Sequence, residues 1–185
     1  MNKNDCKFPL NLVIAGFGGQ GVLLAGKLIA EAGLHEGREV SWIPSYGPEM
    51  RGGTANCTVI ISDSEIGSPV VETPDVLVVM NRPSMDKFLP SLKKDGVCIY
   101  NKSLIEGFKP RSDVKMVAVP ASDLAVQMGS TKLLNMVLVG SFMANSKAFS
   151  EASLAYALKK SISAKHQDLI PLNEKAIGEG AKFVA

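Results

Sequence analysis

Residues 10–22 read "LNLVIAGFGGQGV": an apolar run passes directly into a glycine-rich turn, and "LLAGKLIAEAGL" comes next at 23–34. A short apolar run bounded by glycine is the pattern of a buried strand, and the apolar spacing after the turn is that of a helix. Gly16, Gly18 and Gly21 fit the G-x-G-x-x-G spacing in strand–turn–helix context. There the first glycine permits the tight turn, the second lets backbone approach a phosphate, and the third lets the helix pack on the strand. A helix start adds free N–H groups and a partial positive charge of about half a unit. The stretch sets the fold as α/β and marks an anion site after the first strand; a tight turn without a ligand is the competing reading.

Outward from this turn, "REVSWIP" (38–44) reads as a second strand and completes a βαβ opening. In "TANCTVIIS" (54–62), Ala55, Cys57, Val59 and Ile61 alternate with Thr54, Asn56 and Thr58, the mark of a half-buried strand. The runs "DVLVVMN" (75–81), "GVCIYN" (96–101) and "VKMVAVP" (114–120) bring the expected count to six strands. Uninterrupted apolar runs imply parallel strands covered on both faces. The last third, 131–145, 150–162 and 171–184, carries helical patterns. The expected architecture is a three-layer α/β/α, Rossmann-like, mostly parallel sheet with a helical C-terminal third. At 185 residues and 46% hydrophobic the chain can bury one full core, so 1–185 is expected to be a single domain.

Twenty basic residues against 18 acidic leave a net charge of +2 with no block of like charge, which argues against a nucleic-acid or membrane surface. The start, "MNKNDCKFPL", has no continuous apolar h-region, and no segment reaches the roughly 18 apolar residues of a membrane span, so a cytoplasmic location is expected. Cys6, Cys57 and Cys98 are widely spaced with no CxxC pair, which supports neither a disulfide framework nor an iron–sulfur cluster nor a metal site. The only histidines, His35 and His166, fall at a helix end and in a loop, and no catalytic group is assigned.

Which anion the first loop would hold depends on the residues after the second strand. A dinucleotide needs an acid there for the ribose hydroxyls. This strand ends Ile43-Pro44-Ser45, and Glu49 lies inside the next loop, so a free-standing NAD(P)-binding protein fits poorly. That loop, "YGPEMRGG" (46–53), places Arg51 before Gly52 and Gly53. A guanidinium fork suits phosphate or carboxylate, and two glycines free the backbone for close approach. Equally, Arg51 could pair with Glu49 or a neighbouring subunit. Asn135 sits in a helix apolar nearly all round, a pattern of central core or subunit interface; its amide needs partners, either within the fold or on a ligand.

With "GFGGQGV", "YGPEMRGG", "IGSP" (66–69), "DVLVVMN" and "LNMVLVG" (134–140) in this order, the chain resembles the gamma subunit of 2-oxoacid:ferredoxin (acceptor) oxidoreductases, in length as well as in motifs. The form of "SYGPEMRGGTAN" is closer to the 2-oxoglutarate or 2-oxoisovalerate type than to pyruvate enzymes; indolepyruvate oxidoreductase, whose small subunit shares the fold, is the nearest alternative. The resemblance implies a non-autonomous subunit of an enzyme that converts a 2-oxoacid and coenzyme A to an acyl-CoA and CO2. It places thiamine diphosphate, Mg²⁺ and the iron–sulfur clusters on partner alpha, beta and ferredoxin-like delta subunits. It further implies a shared coenzyme A site, with Gly16, Gly18, Gly19, Gln20 and Gly21 as phosphate loop, Arg51, Gly52 and Gly53 as the facing basic loop, and Asn135 nearby. Fused pyruvate enzymes carry lysine at the position of Arg51, which keeps the charge but not the fork. A purely structural interaction module is the reading that needs no ligand at all.

Overall fold

A computed structural model of the chain describes residues 6–45, 54–162 and 164–185. Six strands, β1 (Leu10–Phe17), β2 (Glu39–Ser45), β3 (Thr54–Ser62), β4 (Val76–Val79), β5 (Val97–Asn101) and β6 (Lys115–Val119), form one sheet in the order β2-β3-β1-β4-β5-β6. β1, β4, β5 and β6 pair in parallel, whereas β3 is antiparallel to both β1 and β2. β2 therefore runs with β1 but is separated from it by β3, about 9–10 Å away at two strand spacings. The mostly parallel sheet is as expected; the inserted antiparallel strand was not legible from the apolar runs.

Among the described residues there are six α-helices: α1 (Val22–His35), α2 (Arg82–Phe88), α3 (Ala121–Gln127), α4 (Leu134–Ser146), α5 (Glu151–Ser161) and α6 (Ile170–Gly180). The sequence patterns anticipate α1, α4, α5 and α6 but miss the two seven-residue helices. α2 nonetheless carries a readable start: Asn81 accepts a hydrogen bond from the Ser84 N–H at 2.9 Å, and proline stands in the first turn. Short helices give too few turns for periodicity to declare itself.

The layers are unequal. The larger core lies between one sheet face and α1, α3, α4 and α5, with Leu12, Ile14, Leu28, Met136, Val137 and Phe142 within it. A smaller cluster on the other face joins Val13, Leu77, Val79 and Cys98 to Met85 and Leu89 at α2. In β3, Ala55, Cys57, Val59 and Ile61 are buried toward α1 while Asn56 and Thr58 remain half-buried on the far face, so the alternation expected from "TANCTVIIS" is present over 55–59; at the end of the strand Ile60 and Ser62 are buried as well. α1 approaches β2 and β3 closely because it carries glycine where it crosses them. A Cβ on Gly26 would stand 2.4 Å from Cys57 Sγ and 2.9 Å from Trp42 Nε1. The helix–sheet contact assigned to Gly21 from the motif is thus made one turn later, by Gly26. Every residue of α4 from Leu134 to Phe142 is buried, which makes this helix core.

Candidate functional site

The chain leaves β1 toward β2 and β3 on one side of the sheet and returns to β4 on the other, so the crevice between the carboxyl ends of β1 and β4 is the topological switch point, where open α/β sheets take ligands. Gly16 to Gly21 lie at that end of β1. The pairing of Phe17 with Thr54, and of Ser45 with Asn56, brings both ends of the β2–β3 connection to the same edge. Arg51, Gly52 and Gly53, within that connection, lie outside the described residues.

The loop is held by its own glutamine. The Phe17 N–H donates to Gln20 Oε1 at 2.7 Å, and the Gln20 N–H donates back to the Phe17 carbonyl at 3.2 Å. Gln20 Nε2 reaches the Met80 carbonyl, at the end of β4, at 3.5 Å. Glycine at 16 makes room for this brace: a Cβ there would sit 2.8 Å from Gln20 Oε1 and 2.8 Å from Met80 Cβ. Gly19 has φ 93°, with open space where a Cβ would be. Gly21, the residue before α1, has φ 78° and ψ 23°, a left-handed conformation that suits glycine.

Asn135 meets this loop from the start of α4. Its Nδ2 donates to the Gly21 carbonyl at 3.3 Å, its Oδ1 accepts from the Met136 N–H at 2.9 Å, and the residue is 2% exposed. The fit is close enough that a Cβ on Gly21 would fall 2.3 Å from Asn135 Nδ2. Gly16, Gly18, Gly19, Gln20, Gly21 and Asn135 therefore form one constellation, with Asn135 bonded to the loop it stands beside.

The 14-residue α1 begins without a side-chain cap and with no acidic residue in its first turn. Helix-start amides have no intrahelical acceptor, so this end of the crevice favours an anion by orphan donors and by the helix dipole together. Two more asparagines, which the sequence shows only as the last residues of apolar runs, stand along the same edge. Asn81 closes β4 and caps α2 through Oδ1, while its Nδ2 is buried with no partner among the described residues. Asn101 ends β5, where Nδ2 donates to Ser122 Oγ at 2.8 Å and Oδ1 accepts from the Ser122 N–H at 3.2 Å.

Nucleophilic chemistry has no support elsewhere in the described residues. Burial pushes the Cys57 and Cys98 thiols up to about 12, and the Cys6 thiol up to about 11. Ser153 lies 3.0 Å from His35 Nδ1, yet its hydroxyl donates to Glu36 Oε1 at 2.7 Å and it is 3% exposed. Desolvation would raise the Glu36 carboxyl, but hydrogen bonds from the Ser150 N–H and Ser153 hydroxyl, with Arg38 nearby, hold it below its ordinary value. This cluster caps α5 and joins it to the end of α1. Among the described residues no helix is long and apolar enough to cross a membrane.

Comparison with known proteins agrees with the resemblance read from the motifs. The ketoisovalerate oxidoreductase subunit VorA of Methanothermobacter marburgensis is 40% identical over 171 residues, 92% of this chain but 35% of the relative. A keto/oxoacid ferredoxin oxidoreductase gamma subunit from Geobacter sulfurreducens superimposes with a TM-score of 0.81 at 27% identity, covering 94% of this chain and 96% of that one. The 2-oxoglutarate:ferredoxin oxidoreductase of Magnetococcus marinus gives a TM-score of 0.86 at 25% identity, over 95% of this chain and 31% of that one. The chain thus spans about a third of the VorA and Magnetococcus chains and nearly all of the Geobacter subunit. The family model for pyruvate ferredoxin/flavodoxin oxidoreductase matches residues 11–183, from the first strand through the last helix. With its glycine loop, sheet order and C-terminal helices all inside that match, the chain belongs to the pyruvate ferredoxin/flavodoxin oxidoreductase family.

Proposed function

We propose that this chain is a gamma-type domain of a 2-oxoacid:ferredoxin oxidoreductase and that its glycine loop holds phosphate groups of coenzyme A. The observation that carries this reading is the braced loop at the switch point, closing on a helix start that has neither a side-chain cap nor an acid in its first turn. Coenzyme A offers a pyrophosphate and a 3′-phosphate to such a loop. The Magnetococcus relative, solved with 2-oxoglutarate, coenzyme A and succinyl-CoA bound, supports the choice of ligand. Arg51, Gly52 and Gly53 supply the facing cation and free backbone in this reading, and Asn135 fixes the Gly21 end of the loop.

The assembled enzyme would convert a 2-oxoacid, coenzyme A and oxidised acceptor to acyl-CoA, CO2 and reduced acceptor. Thiamine diphosphate, when bound, stabilises the carbanion left by decarboxylation. Cys57 and Cys98 are buried in β3 and β5, and Cys6 precedes β1, a separation that suits no shared cluster on this chain. We assign thiamine diphosphate and Mg²⁺ to alpha and beta partners, the iron–sulfur clusters to those partners and a ferredoxin-like delta chain, and the complex to the cytoplasm. The chain alone is then inactive. Its own residues orient the phosphates and leave the thiol end free to reach a partner's active site.

A dinucleotide reading is weakened by the sheet order, because β3 stands between β1 and the strand whose end would carry the ribose-binding acid. The test is to purify the native complex, identify its partner chains, and assay 2-oxoglutarate, 2-oxoisovalerate, pyruvate and indolepyruvate with and without coenzyme A. Arg51→Ala should raise the KM for coenzyme A by about tenfold or more, as expected for loss of a charge-assisted phosphate contact. An unchanged KM in that variant, and in Gln20→Ala, would leave only the structural module.

A further inference from the structure

A cavity of about 630 Å³ opens between α5 and α6, over the second half of α4. It exists because α5 packs chiefly on α1 and α6 chiefly on α4, so that α5 and α6 meet over little surface. Its floor is apolar, from Met143, Phe149, Leu154, Leu158 and Ile177. Its walls are low: Ala155 stands on the α5 side and Gly178 on the α6 side, and a Cβ on Gly178 would meet nothing within 4 Å. Small residues of this kind let another backbone approach closely. Each wall advances seven residues, Glu151 to Leu158 and Glu174 to Ala181, about 10 Å at a helix rise of 1.5 Å per residue and so two turns. Glu151 and Glu174 are exposed, one on each wall, and neither has an ion-pair partner among the described residues. Lys147, also at the rim, already has an interaction within the chain. Met143 is eight residues along α4 from Asn135, about 12 Å at the same rise, so the groove does not adjoin the loop. A smaller cavity of about 340 Å³, lined from α1, α4, α5 and α6 and by Ser130, Lys132 and Asn173, does adjoin it and belongs to the site already described.

We infer that the groove between α5 and α6 docks a basic amphipathic helix of a partner chain. This rests on the reading of the chain as one part of an assembled enzyme, and it concerns a surface apart from the phosphate loop. Two turns of helix fill the groove, with apolar side chains at i, i+3 or i+4, and i+7 on the floor. Lys or Arg beside that stripe meets Glu151 and Glu174, which lack cations of their own. The docked helix would stand as the fourth member of a bundle with α4, α5 and α6. A second copy of this chain is a poor occupant: a two-fold contact sets one concave surface against another and gathers four carboxylates. The relatives indicate where such a helix comes from. The same fold is about a third of the VorA and Magnetococcus chains, accompanied there by further polypeptide, and nearly the whole of the Geobacter subunit. A fold that occurs both joined and separate needs a face to hold the remainder.

The native complex carries the test: it is diluted, and its dissociation into this chain and its partners is followed by sedimentation velocity at low and high salt. Gly178→Trp fills the groove from a position that faces open space, and should raise the dissociation constant about tenfold or more. The double variant Glu151→Lys, Glu174→Lys should raise it about tenfold at low salt and less at high salt, where screening weakens the repulsion. At concentrations where the complex is whole, both variants should keep the KM for coenzyme A within about twofold of wild type, because the groove lies apart from the loop. A photo-cross-linking p-benzoylphenylalanine in place of Glu174 should attach to a partner segment with the apolar spacing and the Lys or Arg described. Attachment to a second copy, or to a segment without that pattern, overturns the inference, as do dissociation constants within about twofold of wild type in both variants. If the native chain sediments alone, with no partner chains, the assembly reading falls and the docking site with it; Arg51→Ala tests the phosphate reading separately.

Discussion

Replacing Gly140 by alanine tests the packing of the C-terminal helices, because two arguments give opposite signs. From intrinsic propensity, glycine to alanine inside a helix stabilises by roughly 1 kcal/mol. From the packing, a Cβ on Gly140 would lie 1.9 Å from the Ile177 carbonyl oxygen, 2.8 Å from its carbon and 3.0 Å from the Ala181 nitrogen. The approach is reciprocal, since a Cβ on Gly180 would lie 1.7 Å from the Val137 carbonyl oxygen. All of these neighbours are backbone, so no side-chain rotation relieves the overlap. Restoring an ordinary contact requires α4 and α6 to separate by about 1.5 Å, a gap that forfeits a large part of the dispersion between them. The separation would also strain the bonds from Ser141 Oγ and Asn145 Nδ2 to the Phe183 carbonyl, each 2.9 Å. Overpacking costs about 1–3 kcal/mol, and rigid backbone on both sides puts this case at the upper end. After the propensity gain the net loss is about 2 kcal/mol, or a fall in Tm of about 4–8 °C for a chain of this size. Urea and thermal unfolding of the purified variant read it directly. A Tm equal to or above wild type would refute the argument that these two glycines set the helix contact.

Gly21→Ala should destabilise more than Gly19→Ala. Both positions have positive φ, costing an L-residue roughly 1–2 kcal/mol, but only at Gly21 does the added methyl also displace Asn135, for about 1 kcal/mol more; equal urea midpoints for the two variants would remove the Asn135 contact from the account. Native protein at pH 8 should leave Cys57 and Cys98 unlabelled by a thiol reagent that labels them in urea, because burial holds both thiols up at about 12. The folded state keeps these protons where the unfolded chain, with thiols near about 8.5, releases them. Stability should therefore be full below about pH 8.5 and fall as pH rises toward the folded values. The double variant Cys57→Ala, Cys98→Ala should flatten that alkaline slope, and an unchanged slope would count against burial as its cause.

The elements most legible in the sequence were those whose burial pattern is local. β1, β4 and β5 are short apolar runs, β3 alternates, and α1 comes directly after a glycine turn, so each carries its environment in its own residues. The direction of β3 was not legible, because hydrophobic alternation specifies which face is buried but not which neighbours a strand meets. The site divides in the same way. The glycine loop is a local motif, and the structure gives Gln20, unremarkable by composition, the role of its brace. The cavity beside the loop draws on α1, α4, α5 and α6, a juxtaposition that no single stretch contains. The roles of Gly26, Gly140 and Gly180 likewise depend on what crosses them, and a glycine in a helical pattern reads only as a weak point until the partner is known.

The bond from Asn135 to Gly21 spans 114 residues of sequence. The glycine loop looks like the most local feature of the chain, yet one of its supports arrives only with α4. A chain folded through β6 would hold β1 and α1 with the Gly21 carbonyl accepting only from the Ala25 N–H and lacking its bond from Asn135, and loop closure of that length belongs to the slow, non-local part of folding. The Asn135 side-chain amide protons, the donors of this bond, should then gain exchange protection only as α4 meets the loop, so that the bond reports on the completion of the C-terminal third.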